Sequence, residues 1–129
     1  MTGPGSCGVL CGCSVLQYET ESLRRQFWPG WTGEYLSSML HMRPAHLGET
    51  LQHRIRDLDQ GSRIILVYGD CCPAMHACEQ YPHVARTQGM NCCELILGHE
   101  IYKKLIRSGV FFLLPEWTSR WEEVFSHEL

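Results

Sequence analysis

Arg63–Tyr68, with the sequence RIILVY, is the stretch that decides the fold of this 129-residue chain. Four consecutive apolar residues between polar neighbours are typical of a strand that is buried on both faces of a sheet. Gly69–Cys71 follow as a turn, and Pro73 opens a short helix. We therefore predict that Arg63–Tyr68 is the central strand of a parallel sheet.

The segment before this strand predicts a helix that packs on the sheet. Pro44 suits the first turn of a helix, because proline has no amide hydrogen to lose there. The apolar side chains that follow recur at helical spacing and form one stripe. They are Leu47, Leu51, Ile55 and Leu58. Upstream of Pro44, Glu34–Leu40 predicts a short strand that ends at His41.

The N-terminal part predicts a further strand and helix. Ser6–Leu10 is a short apolar stretch that ends in the segment Cys11–Cys13. Ser14 and Gln17 have the spacing of a capping box, in which the serine hydroxyl accepts a hydrogen bond at the start of a helix. We therefore predict the order strand, cysteine and helix, with the helix running towards Phe27.

Beyond the central strand the pattern continues. Val84–Thr87 predicts a weaker strand, and Cys92 begins a helical segment that is interrupted near Gly98. Val110–Leu114 predicts a last strand. A final amphipathic helix is expected to carry four apolar side chains on one side. These are Trp117, Trp121, Val124 and Phe125.

This alternation of strands and helices predicts an α/β fold. We expect a small, mostly parallel, Rossmann-like sheet of about five strands with helices on both faces. The length is that of one domain, so we predict a single α/β domain over residues 1–129.

Composition argues against several partners and compartments. The formal net charge of -3 provides no basic surface for a phosphate backbone, so nucleic acid is not an expected partner. No apolar run approaches the roughly 18 residues of a membrane span. The first 16 residues lack the basic start of a secretory signal. We therefore expect a cytoplasmic protein that does not enter a membrane.

Eight cysteines in three clumps are the most informative feature of the composition. Disulfide scaffolds are typically exported and spread their cysteines along the chain, so we expect reduced thiols here. Because cysteine often behaves as a small buried hydrophobe, we expect four of the eight to be part of the core. They are Cys7, Cys11, Cys78 and Cys93.

The other cysteines suggest a metal site. Four potential ligands, Cys13, His41, Cys71 and Cys92, fall just past four predicted strands. In open parallel sheets, ligands gather beyond the carboxyl ends of the strands. Thiolate and imidazole hold zinc or an iron-sulfur cluster, and three thiolates with one further ligand are a common set. We therefore predict a site of three cysteines and one histidine that holds an iron-sulfur cluster, or alternatively zinc.

Two other functions remain open at this stage. A cysteine at a helix N-terminus has a lowered pKa, so Cys71 or Cys92 is a candidate nucleophile of a metal-free thiol enzyme, with His41 as its base. The third hypothesis is a structural interaction subunit that docks through its Trp-bearing C-terminal helix. Dinucleotide and phosphate-loop motifs are missing from the sequence, so no nucleotide cofactor is expected.

Five segments together resemble the domain-of-unknown-function 1638 family over about residues 9 to 125. They are Cys13–Glu19, Leu40–Pro44, Leu66–Cys71, Asn91–Gly98 and Phe112–Trp117. The sequence departs from the family pattern at three places. Cys72 replaces a glycine, Asn91 replaces an acidic residue, and Glu116 replaces a glycine.

The resemblance implies a set of site residues and a biological setting. Beside the predicted ligands Cys13, His41, Cys71 and Cys92, it implies Glu19, Tyr68, Gly69 and Trp117 as positions of interest. We expect Glu19, Tyr68 and Gly69 to help bind the cofactor. The family is similar to proteins of anaerobic bacteria and archaea that are often linked to corrinoid-dependent methyl transfer, which indicates a setting in anaerobic metabolism. This implies a corrinoid- or methyltransferase-related protein partner, and a redox, methyl-transfer-associated or metallocentre accessory role.

Overall fold

Four strands form one all-parallel sheet. β1 is Gly8–Cys13, β2 is Thr32–Leu36, β3 is Arg63–Val67 and β4 is Val84–Arg86. Their order across the sheet is β2-β1-β3-β4, so β1 and β3 are the central pair. The predicted α/β class and the central position of the RIILVY strand are therefore confirmed.

The computed structural model of the chain describes residues 8–58, 61–119 and 122. Several residues of the sequence predictions lie outside the described part: Cys7, Trp121, Val124 and Phe125, together with the side chains of His41 and Trp117. Within the described ranges, no helix combines the length and the apolar character needed to cross a bilayer.

Helices follow the strands along the chain. The α-helices among the described residues are α1 (Gln17–Phe27), α2 (Pro44–Asp57), α3 (Met75–Glu79), α4 (Cys92–Leu97), α5 (His99–Arg107) and α6 (Pro115–Ser119). Two 3-10 helices, Ser14–Leu16 and Ser38–Met42, follow β1 and β2. The predicted interruption near Gly98 is confirmed, because Gly98 has a φ of 82° between α4 and α5, a conformation that side chains disfavour.

Two apolar clusters lie on the two faces of the sheet. Leu51 and Ile55 of α2, 0% and 2% exposed, pack with Ile64 and Leu66 of β3 in the first cluster. Val67 packs with the second cluster, and successive side chains of a strand point to opposite faces. The second cluster contains Val15, Leu16, Cys93 and Leu114. Burial of one such large side chain contributes about 1.5 to 3 kcal/mol, so both clusters hold the strand ends in place.

The predicted fifth strand is wrong. Val110–Leu114 has no regular secondary structure and leads into α6. Only alternate side chains of this run, Phe112 and Leu114, pack into the second cluster, while Phe111 and Leu113 are 74% and 57% exposed. An apolar run forms a strand only where a neighbouring strand pairs with its backbone. The sheet therefore has four strands among the described residues, rather than about five.

The predicted capping box at Ser14 is also wrong. The N-cap residue of α1 is Leu16, which makes no side-chain cap, and Ser14 begins a 3-10 helix instead. The hydroxyl of Ser14 donates a hydrogen bond to Glu116 Oε1 at 3.0 Å. The second strand also ends earlier than predicted, at Leu36, because Ser37 caps the 3-10 helix by accepting a hydrogen bond from Met39 N at 3.2 Å. Both changes occur at the carboxyl ends of strands, where the site lies.

An ion pair between β2 and α2 makes the stability of the fold depend on pH. Arg54 donates to both carboxylate oxygens of Glu34, at 2.6 and 2.5 Å. These hydrogen bonds lower the pKa of Glu34 from its ordinary value of 4.5. A lowered folded-state pKa gives stability that is present above about pH 4.5 and is lost as the pH falls through the folded pKa.

We expect Arg54→Gln to lower the free energy of unfolding at pH 7 by about 0.5 to 1 kcal/mol, a small value because both side chains are partly exposed. The difference from the wild type should shrink as the pH falls towards 3, because protonation of Glu34 removes its attraction to Arg54. Urea denaturation at both pH values measures this. A difference of the same size at pH 3 would show that Arg54 stabilises the fold by packing and not by charge.

Candidate functional site

Three cysteines line one small pocket at the carboxyl end of the sheet. Cys13 is the last residue of β1, Cys71 lies in the turn after β3, and Cys92 is the first residue of α4. Each is half-buried, and none of the seven cysteines in the described part of the chain forms a disulfide. Three thiols that are far apart in the sequence therefore share one pocket.

Tyr68 is the most deeply buried side chain of this pocket. It follows β3 directly and is 2% exposed. Its hydroxyl is buried and has no hydrogen-bond partner among the described residues. Burial and the neighbouring thiols raise the pKa of Tyr68, so the hydroxyl keeps its proton. A buried hydroxyl without a partner costs free energy, so Tyr68 places an unused donor beside the three sulfurs.

Arg86 of β4 holds the turn that carries Cys71. Its guanidinium donates to the carbonyl oxygen of Tyr68 at 3.2 Å and pairs with Asp70 at 2.8 Å. Glu79 accepts a further hydrogen bond from Arg86 Nε at 2.5 Å. Since Asp70 lies between Tyr68 and Cys71, these contacts hold the backbone of the turn in place, and with it the Cys71 side chain that lines the pocket.

Gly69 allows the loop before Cys92 to reach the end of β3. A side chain at this position would lie 2.5 Å from Asn91 Cα and 2.6 Å from Asn91 N, and in contact with Met90 O. The amide of Asp70 donates to that Met90 oxygen at 2.8 Å. Gly69 is therefore needed for close approach of two backbones, and this approach brings Cys92 to the pocket.

The start of α4 is capped from both directions. Asn91 Oδ1 accepts a hydrogen bond from Glu94 N at 3.0 Å, and Glu94 Oε1 accepts one from Met90 N at 2.6 Å. Asn91 Nδ2 also donates to Tyr102 Oη at 2.8 Å. Sequence analysis did not identify these roles, although the Asn-x-x-Glu spacing is that of a capping box. The cap fixes the start of α4 and therefore the position of Cys92, its first residue.

The predicted lowering of thiol pKa at the helix start is wrong. Burial raises the pKa of Cys92 to about 12, and the nearby thiols of Cys13 and Cys71 add to this effect. Burial likewise raises the pKa of Cys71. Removal of water from a thiolate outweighs the field of a helix as short as α4, which has six residues. Both thiols are therefore protonated near neutral pH.

The remaining predicted residues lie apart from the thiols or outside the description. The backbone of His41 belongs to the 3-10 helix Ser38–Met42, whose residues Ser38 and Leu40 line the pocket. Glu19 lines a neighbouring cleft instead, together with Ser14 and Glu116. In agreement with the prediction, Cys11, Cys78 and Cys93 are core residues.

The pocket has the donor chemistry of a metal centre, but its described side chains do not have the arrangement of one. Its donors, three sulfurs, have the chemistry of a soft-metal site, and the unpartnered Tyr68 hydroxyl offers a hydrogen bond to a bound group. Within residues 8–58, 61–119 and 122, however, no three His, Cys, Asp or Glu side chains are arranged to hold a metal ion. The donor chemistry therefore fits, and coordination requires the three sulfurs to approach one another.

The all-parallel sheet places the chain among Rossmann-like α/β proteins, here with a thiol-lined pocket at the carboxyl ends of the strands. The chain belongs to the family described as protein of unknown function (DUF1638), which matches residues 35–129. The matched region contains Cys71 and Cys92 and begins after Cys13. No curated protein and no solved structure gives a significant match.

Proposed function

We propose that this chain is a cytoplasmic metal-binding protein whose centre is held by Cys13, Cys71 and Cys92. The observation that carries the proposal is the convergence of these three thiols on one pocket beside Tyr68. His41 is the proposed fourth ligand, because its backbone belongs to the 3-10 helix that lines the same pocket. An iron-sulfur cluster is the favoured group, and a single zinc ion is the alternative.

Electrostatics supports binding of a cation at this position. The raised pKa values of Cys71 and Cys92 arise from burial and from repulsion between neighbouring thiolates. A metal cation removes both penalties, because it replaces the lost hydration and neutralises the thiolates. Binding therefore releases protons, and we expect the affinity for the metal to increase with pH.

The other residues of the pocket have supporting roles in this proposal. The Tyr68 hydroxyl, which has no partner among the described residues, would be available to donate a hydrogen bond to a bound cluster and so to tune its reduction potential. The turn that Arg86 braces and the loop that packs on Gly69 bring Cys71 and Cys92 together. When bound, a cluster supplies electron transfer or an open coordination position. The chain itself orients the ligands and limits access of water.

The metal-free thiol enzyme is the less favoured alternative. A thiol acts as a nucleophile in its thiolate form, and the raised pKa of both Cys71 and Cys92 reduces that form near neutral pH. The redox, methyl-transfer-associated or accessory role and the corrinoid- or methyltransferase-related partner stay predictions from the family resemblance.

Metal analysis of protein purified under anaerobic conditions tests the proposal. We expect a brown protein that contains iron and acid-labile sulfide, as an iron-sulfur cluster bound by thiolates would give. One zinc ion per chain would support the proposed site and show that it binds the alternative group, a single zinc ion, in place of a cluster. If the purified chain contains neither metal, and takes up neither zinc nor ferrous iron with sulfide, the proposal is wrong. Selective alkylation of Cys71 or Cys92 would then favour the thiol enzyme.

A further inference from the structure

Glu116 connects three segments that are far apart in the sequence. Its Oε1 atom accepts hydrogen bonds from the hydroxyls of Ser14 and Ser38, both at 3.0 Å. Ser38 N donates in turn to Ser14 Oγ at 2.8 Å. The three residues are therefore held in one hydrogen-bonded triangle, and Ser38 is only 6% exposed.

The two serines belong to the elements that form the rim of the thiol pocket. Ser14 follows Cys13 directly and begins the 3-10 helix after β1. Ser38 begins the 3-10 helix after β2, and Ser38 and Leu40 line the same pocket as the three cysteines. Glu116 therefore sets the separation between the thiol of Cys13 and the wall that carries Leu40 and His41.

The position of Glu116 is itself fixed by apolar packing. It lies in α6, two residues after Leu114, which is 7% exposed and packs with Val15 and Leu16 in the second cluster. A carboxylate that accepts two hydroxyl hydrogen bonds forms a charge-assisted contact, which is stronger than a neutral one. Movement of either 3-10 helix away from the pocket would break at least one of these bonds.

We propose that Glu116 is a positioning residue that holds the rim of the thiol pocket closed by binding Ser14 and Ser38. The inference rests on the proposed function only for the identity of the group that the pocket binds. The rim itself is a property of the metal-free chain, so its test does not require a metal.

The test is residue-resolved alkylation of metal-free, reduced protein, followed by mass spectrometry. We expect Glu116→Ala to increase the alkylation rates of Cys13 and Cys71 by about tenfold or more, since about tenfold corresponds to the loss of a single hydrogen bond to a charged group. Cys11 and Cys78, buried in the first cluster, serve as internal references and should not change. Glu116→Gln keeps an acceptor and should stay within roughly threefold of the wild type.

Two further variants make the result specific. Glu100→Ala removes an exposed carboxylate of α5 and should leave every rate unchanged. If Glu116→Ala does not fold, Ser38→Ala removes one of the two donors and should give a smaller increase at the same cysteines. The inference is wrong if the rates of Cys13 and Cys71 stay within about twofold of the wild type, or if all cysteines accelerate equally. A wild-type chain that neither contains nor takes up zinc or iron would contradict the proposed function and leave this result unaffected.

Discussion

Cys71→Ala protein, purified under anaerobic conditions, is expected to retain less than about a tenth of the metal of the wild type. The substitution removes one of the three thiolate ligands of the metal. A water molecule that takes the place of this thiolate binds the metal less tightly. Metal and sulfide analysis per chain measures the effect, together with the absorption spectrum.

The chain provides a matched control at the next residue. Cys72 is buried, at 8% exposed, but packs in the first cluster and does not line the pocket. Cys72→Ala should keep nearly all of the metal, although it loses some stability from core packing. Cys92→Ala and Cys93→Ala form a second pair of the same design. Equal metal loss within either pair would mean that folding, and not ligation, determines the metal content.

Gly69→Ala is expected to have the second large effect. Its new Cβ would lie 2.5 Å from Asn91 Cα, so the loop before α4 must move away from the end of β3. Overpacking of this kind costs about 1 to 3 kcal/mol, and the movement also takes Cys92 out of the pocket. Urea denaturation measures the first effect, and the metal content of the same sample measures the second.

Gly12→Ala is the control for this substitution. Gly12 lies at the same end of the sheet, but a side chain there would meet Val67 Cβ at 3.3 Å and no backbone closer than 3.4 Å. We expect a loss of less than about 1 kcal/mol, because the contact with Val67 is relieved by a shift of a few tenths of an ångström, whereas at Gly69 the loop backbone must move much further. If Gly69→Ala has wild-type stability and metal content, the close approach of Gly69 and Asn91 has no role in the site.

Much of the fold could be predicted because its signals are local. The apolar run of β3 and the stripe Leu47, Leu51 and Ile55 of α2 each identify their element within a few residues. The shared pocket of Cys13, Cys71 and Cys92 followed from a general property of parallel sheets, whose strands end at the same edge. These inferences need only the order of elements, and not their exact packing.

Other features depended on contacts that no local pattern contains. Val110–Leu114 has the composition of a strand, but its backbone does not pair with the sheet. Ser14 has the spacing of a capping residue, but its hydroxyl binds Glu116, 102 positions away in the sequence. The helix start at Cys92 suggested a lowered thiol pKa, and burial among other thiols reversed the direction.

Periodicity and element order are readable over short distances, so the amino-acid sequence alone was enough to predict the parallel α/β class, the central strand and the gathering of the thiols at one edge of the sheet. Packing of the whole chain settled how many strands pair among the described residues, that Gly69 admits the Asn91 loop, and that Ser14 and Ser38 meet at Glu116. It also decided the protonation of Cys71 and Cys92. The physical reason is that hydrogen-bond partners, close backbone approach and loss of hydration depend on which distant segments meet in space.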